Sequence, residues 1–177
     1  MEQKRLTKSL LCVFAVFLLW GSAPGENIAA AASQSIQESS SVSILSEYTS
    51  MSSEQSQALK LLNDDRKKRN LAPLQFNSHL SKLAESYARD MIDREFFSHR
   101  NPEGQSPFER MQERQIAFNY AGENIAFNES VYAAQQAFMH SPEHKANILS
   151  PHYTQVGIGV VKSSTGRVYV VQEFIDG

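Results

Sequence analysis

The chain of 177 residues has one cysteine, Cys12, and it lies inside an apolar run near the amino terminus. No disulfide can hold the remainder, so its stability must come from its core alone. Lipid attachment at Cys12 would want a small residue just before it, and Leu11 stands there instead. The run itself, LLCVFAVFLLW from Leu10 to Trp20, falls short of the ~20 residues a membrane-spanning helix needs. Charge of one sign is also scarce, with 17 Lys+Arg against 19 Asp+Glu and a formal net charge of −2. That balance supplies no field to draw in nucleic acid or anionic lipid, and no nucleic-acid partner is expected. No G-x-S-x-G pattern occurs, so with no thiol beyond Cys12 neither a serine nor a cysteine nucleophile is in evidence.

What is present begins with a leader. Lys4, Arg5 and Lys8 precede the apolar run and alanines 29–32 offer small-residue cleavage sites, so residues 1–32 read as a secretory signal peptide. A retained membrane anchor is the competing reading. Cleavage near Ala31 would remove Lys4, Arg5, Lys8, Glu2 and Glu26, leaving 14 Lys+Arg against 17 Asp+Glu. The mature chain is then expected to be secreted, extracellular or wall-associated, with no integral membrane segment and as a monomer; a cysteine-free exported chain suits a bacterium. Residues 33–53 are nearly half serine, with few large apolar side chains, and read as a disordered tether. Residues 54–177, roughly 125 in number, suit one domain.

Periodicity sorts that domain into elements. Ser52 and Gln55 have capping-box spacing, and Ala58, Leu59 and Leu62 follow on one side, predicting a helix that ends before Leu71-Ala72-Pro73. From Ser78, the stripe Leu80, Leu83, Ala84, Tyr87, Ala88 and Met91 predicts a second. Ser106, Pro107 and Glu109 start a short third, Val131 to His140 forms a fourth, and Ser141-Pro142 begins one more turn or two. The period then changes to two: TQVGIGVV, the turn SSTG and RVYVVQEF predict an antiparallel hairpin. GENIAF from Gly122 is either a third strand or an extended loop. Helices first and a hairpin last give an α+β class, with helices packed on a small antiparallel sheet.

Five histidines carry the candidate chemistry. His79 in the first turn of a helix reads as a surface residue, and His140 at a helix end complements the dipole. His99, after two phenylalanines, and His152, in the connection to the hairpin, both lie in loops beside core, where a ligand or catalytic group is commonly held. Glu123, in an apolar segment, must find donors or a cation if buried. His144, three residues after Ser141, competes as a capping residue. Phe96, Phe97, Phe118, Phe127, Phe138 and Tyr153 could line a hydrophobic ligand groove, with core packing the commoner use.

FFSHRNPEGQSPFERM, AGENIAF and SPEHKANILSPHYTQVGIGV, in that order behind LAPLQFNSHLSKLAESYARDM, resemble the successive signatures of the CAP superfamily, the cysteine-rich secretory, antigen 5 and pathogenesis-related proteins, in the form common among exported bacterial members. The resemblance covers about Gln57 to Phe174. It implies an α-β-α sandwich with a cleft of two histidines and two acids. His99 and His152 match the histidine pair and Glu123 matches one glutamate. A divalent metal such as zinc is the implied cofactor, held by His99 and His152, with Glu123 positioning its water. His152 is expected in the cleft and His144 to be more structural. The family's second glutamate is missing: Phe138 stands for its tryptophan and Ser141 for the acid, while Glu143 or His144 could lean into the cleft. The expected function is a secreted binding module for a small molecule, lipid or envelope polymer. A metal-dependent peptide or ester hydrolase using His99, His152 and Glu123, and a structural wall or spore-surface protein, are the alternatives.

Overall fold

A computed structural model describes residues 51–177. The expected signal peptide and nearly all of the expected tether lie outside the described residues. The tether's last residues belong to the fold: Met51 packs on the core, and Ser52 caps the first helix in a closed capping box with Gln55. In chain order come α1 (Ser53–Lys67), β1 (Gln75–Phe76), α2 (Ser78–Asp93), α3 (Pro107–Glu113), β2 (Ala121–Asn128), α4 (Val131–His140), α5 (Pro142–Ile148), β3 (Gln155–Lys162) and β4 (Val168–Ile175).

The four strands form one sheet in the order β1-β3-β4-β2. GENIAF is thus a full strand, paired antiparallel to β4, and β3 and β4 form the expected hairpin. The sheet is mixed rather than purely antiparallel, because β1 pairs parallel to β3 through two residues. So short a strand leaves no alternation to read in the sequence.

Side-chain alternation divides the strands between two helical layers. Val156, Ile158, Val170, Phe174 and Ala126 join α1, α4 and α5 through Ala58, Leu59, Leu62, Ala134, Phe138 and Ile148. On the other face, Ile125 and Val171 meet Ala84, Tyr87 and Met91 of α2, and Ile175 meets Leu80 and Leu83. Contact with α2 is close because Gly157 and Gly159 carry no side chain where its backbone passes: a Cβ on either would overlap the main chain at Leu80–Ser81 or Ala84–Glu85.

Of the expected aromatics, Phe96, Phe97 and Phe127 line one surface pocket with Tyr169, and Phe118, Phe138 and Tyr153 pack elsewhere. Phe138 is core, Phe96 edges onto Tyr87, Phe118 meets Phe108, Tyr153 stacks on Phe174, and Phe97 and Phe127 both contact Tyr169.

Arg66 joins distant parts of the chain. Only 2 % exposed, it donates to the carbonyls of Ala72, Ile148 and Ser150, each at 2.8 Å. Arg66→Met, of similar apolar volume, orphans these acceptors and is expected to cost about 2–3 kcal/mol in urea unfolding. A change under about 0.5 kcal/mol would show that water takes over the carbonyls.

Candidate functional site

β2 occupies a sheet edge, and its residues 123 and 124 point to opposite faces. Glu123 faces the α2–α3 layer with its side chain 1 % exposed. Its Oε1 lies 2.7 Å from Nδ1 of His99, and its Oε2 accepts a 2.5 Å bond from Nη2 of Arg110. A carboxylate can only accept, so Nδ1 of His99 carries the proton and Nε2 is the ring atom left for a ligand. The His99 side chain is half exposed, so a pinned imidazole opens to solvent. Glu123, expected to position a water, has one oxygen on His99 and the other on Arg110.

Arg110 comes from α3, whose start is fixed by the Ser106–Glu109 capping box and Pro107. Its guanidinium lies 3.4 Å over the Tyr87 ring, and its Nη1 donates to the carbonyls of His99 and Gln105. The His99 loop is therefore held by its backbone as well as its ring. The Tyr87 hydroxyl donates to Ser98 O at 2.6 Å, and burial pushes its pKa up to about 12.

Asn124 turns into the opposite layer, donates to His144 O and Gln172 Oε1, and accepts from Asn147. These bonds seat α5 against the edge strand. Its His144 is half-buried, edge-on to Phe138 at 5.3 Å. Burial first, and then the charge of His99, lower the His144 pKa, so two rings from different layers lie within electrostatic reach across the β2 edge. A depressed histidine favours the folded state above its ordinary value near 6.5; that contribution is lost as pH falls through the lowered value.

His152 contacts the segment that leads into β2. Its ring stacks on Tyr120 at 4.7 Å, just before β2 begins, and both residues are exposed. The next residue, Tyr153, turns inward: it stacks on Phe174, and its hydroxyl lies 2.6 Å from where a Cβ on Gly122 would stand. Of the expected residues, then, the structure joins His99 to Glu123 and sets His144 near them, while the contact made by the His152 ring is with Tyr120. Ser141, in the place of the missing glutamate, donates to Glu143 Oε2 at 3.2 Å on the surface. Among the described residues no three His, Cys, Asp or Glu side chains converge to hold a metal ion. The donor set does not fit a zinc site of three or four protein ligands.

Arg110, Tyr87, Asn124, Asn147 and Glu173 were missed as site residues. Glu173 had a signal: it follows Val171-Gln172 and precedes Phe174 in an apolar strand, where a charged group must find a partner. Arg110 had a weaker one, since an amphipathic helix of seven residues gives little contrast between faces.

The comparisons agree with this architecture. Residues 59–174 match the family model for the cysteine-rich secretory protein family, CAP. The uncharacterized protein YkwD of Bacillus subtilis is 38 % identical over 128 residues, 72 % of this chain and 49 % of YkwD. An extracellular SCP-domain protein from Bacillus anthracis superposes with a TM-score of 0.65 at 30 % identity, over 70 % of this chain and 40 % of that one. An outer surface protein of Borrelia burgdorferi shares the fold with a TM-score of 0.65 at 23 % identity, over 70 % of this chain and 92 % of that one. This chain thus spans about half the length of YkwD, and no described helix is long and apolar enough to cross a membrane. With the sandwich, the GEN strand and the matched segment in agreement, this chain belongs to the cysteine-rich secretory protein (CAP) family.

Proposed function

We propose that this chain is a secreted binding module acting at or outside the cell envelope, whose cleft offers His99 and His144 to a polar small molecule or envelope polymer. One observation carries the reading: the ring of His99 is half exposed yet fixed at 2.7 Å on a buried carboxylate within the protein itself. Preorganisation of that kind lowers the ordering cost of binding. Hydrolysis would need a base facing the attacking water, and both oxygens of Glu123 already have partners. Binding is therefore the favoured reading over the hydrolase.

The test is titration of the purified domain with soluble wall-glycan fragments. His99→Ala is expected to stay folded, losing less than about 1 kcal/mol, while affinity drops at least about tenfold. Equal affinity in wild type and variant would sink the reading. Activity on peptide or ester libraries that vanished in Glu123→Ala would install the hydrolase in its place, and wild-type behaviour of every cleft variant would favour a structural wall component.

Zinc, the cofactor expected on His99 and His152, is tested by metal analysis. With no three His, Cys, Asp or Glu side chains converging among the described residues, dialysed protein is expected to retain well below one equivalent. Retention of one equivalent in wild type, lost in His152→Ala, would restore that pair as ligands. Lipid binding is tested separately, by partitioning of labelled lipid against a heat-unfolded control.

A further inference from the structure

Glu173 lies directly opposite Glu123, its Cα partner on the neighbouring antiparallel strand, and their side chains share one face of the sheet. Such cross-strand neighbours have Cβ atoms about 5 Å apart. On the other side of Glu173, β3 carries Gly157 at the same register, where the α2 backbone at Leu80–Ser81 closes over the sheet. It is fully buried. The charged and titratable groups around it are Glu123 from β2, Arg110 from α3, with Nη2 at 3.8 Å, and Tyr87 from α2.

Neither oxygen of Glu173 receives a hydrogen bond from an N–H or O–H group. It faces the Arg110 guanidinium at 3.8 Å and, across the strand pair, makes its contact with the Glu123 carboxylate. Two carboxylates are both acceptors, so that contact is a hydrogen bond only if one of them holds a proton. Charge balance agrees, since one guanidinium faces two buried acids and a second anion there would stand uncompensated. The proton belongs on Glu173, because Arg110 and His99 already engage Glu123. Burial first, and then the neighbouring Glu123, push the Glu173 carboxyl well above the usual carboxylate range.

We propose that Glu173 is the second acid of the cleft, a positioning residue supplied from the sheet rather than from α4, whose carboxyl donates its proton to Glu123. Glu123 thereby remains the single buried anion, held by Glu173 and Arg110 and presenting Oε1 to Nδ1–H of His99. The acid missing at Ser141 is replaced from a different element. This role extends the binding cleft proposed above, and it is tested on ligand-free protein, so its failure and that of ligand binding are told apart.

Two measurements decide it. In protein labelled with carbon-13 glutamate, the Glu173 carboxyl resonance, assigned by its loss in Glu173→Gln, is expected to be that of a carboxylic acid at neutral pH. A carboxylate resonance there overturns the proposal. Thermal unfolding of wild type and Glu173→Gln between about pH 4 and pH 8 supplies the second test. A carboxyl whose folded pKa is raised stabilises fully below the unfolded value of 4.5 and loses that contribution as pH rises toward the folded value. The glutamine variant has no such loss and should gain on wild type with rising pH, by about 3 °C or more. A difference in Tm, variant minus wild type, that stays constant with pH, as a purely packing role predicts, or that falls as pH rises, rejects the idea. Should the variant not fold, the wild-type resonance, assigned by sequential connectivity, decides alone.

Discussion

Arg110→Met is expected to lose about 3–5 kcal/mol of stability, a fall in Tm of roughly 10–20 °C for a domain of this size. Few side chains here hold so much at once. The guanidinium is 6 % exposed, bonds Glu123, lies 3.8 Å from Glu173, covers Tyr87, and donates to the carbonyls of His99 and Gln105. Its removal strands a buried anion, which costs more than the ion pair contributes, because desolvation of the carboxylate is no longer offset. Methionine keeps most of the apolar volume, so the loss reads charge rather than a cavity. The double variant Arg110→Met, Glu123→Gln should recover more than half of the deficit, since no charge is then left alone. Melting curves followed by circular dichroism decide it, and a single-variant loss under about 1 kcal/mol would mean that Glu123 is not held as an anion by this residue.

Gly159→Ala is expected to be at least as damaging, costing upwards of about 3 kcal/mol or abolishing soluble expression. The new methyl would stand against the carbonyl group of Ala84 and the amide of Glu85, and helix backbone, unlike the end of a flexible side chain, cannot swing aside. Relief requires α2 to lift off the sheet, exposing Ala84, Tyr87 and Met91. Gly166 is the control. It sits at the hairpin turn with φ of +86° and nothing within 4 Å of a Cβ, so Gly166→Ala meets backbone strain alone and should cost about 1 kcal/mol. Similar melting temperatures for the two alanine variants would refute a close approach of helix and sheet as the reason for glycine at 159.

Most of the fold was legible because its signals are local. Capping boxes at Ser52 and Ser106 close as their spacing predicts, and the apolar stripe of α2 is the stripe that it buries. GENIAF stayed ambiguous between strand and loop because its polar residues, Glu123 and Asn124, are both buried, which hides the period of two. The site was less legible. His99 beside Glu123 is a contact across 24 residues, and a one-dimensional pattern fixes no such distance. The seating of α5 and its His144 failed to show for a similar reason: it is set by Asn124 and Asn147, whose bonds cross 20 and 23 residues. Glu173 escaped notice because its partner, Glu123, is another acid, and like charges are not ordinarily paired.

Because Glu123 and Asn124 are consecutive on β2, the strand's phase and the site's composition are a single property. A deletion of one residue within β2, upstream of Glu123, would turn the carboxylate toward Asn147 and Tyr153 and bring the Asn124 amide beneath the guanidinium, and an insertion would leave Gly122 there. Length changes in the connections before Ala121 or after Asn128 leave that phase alone. Loop grafting at either end of the strand should therefore be tolerated far better than any single-residue frameshift inside it, a distinction useful to anyone recasting this cleft for a new ligand.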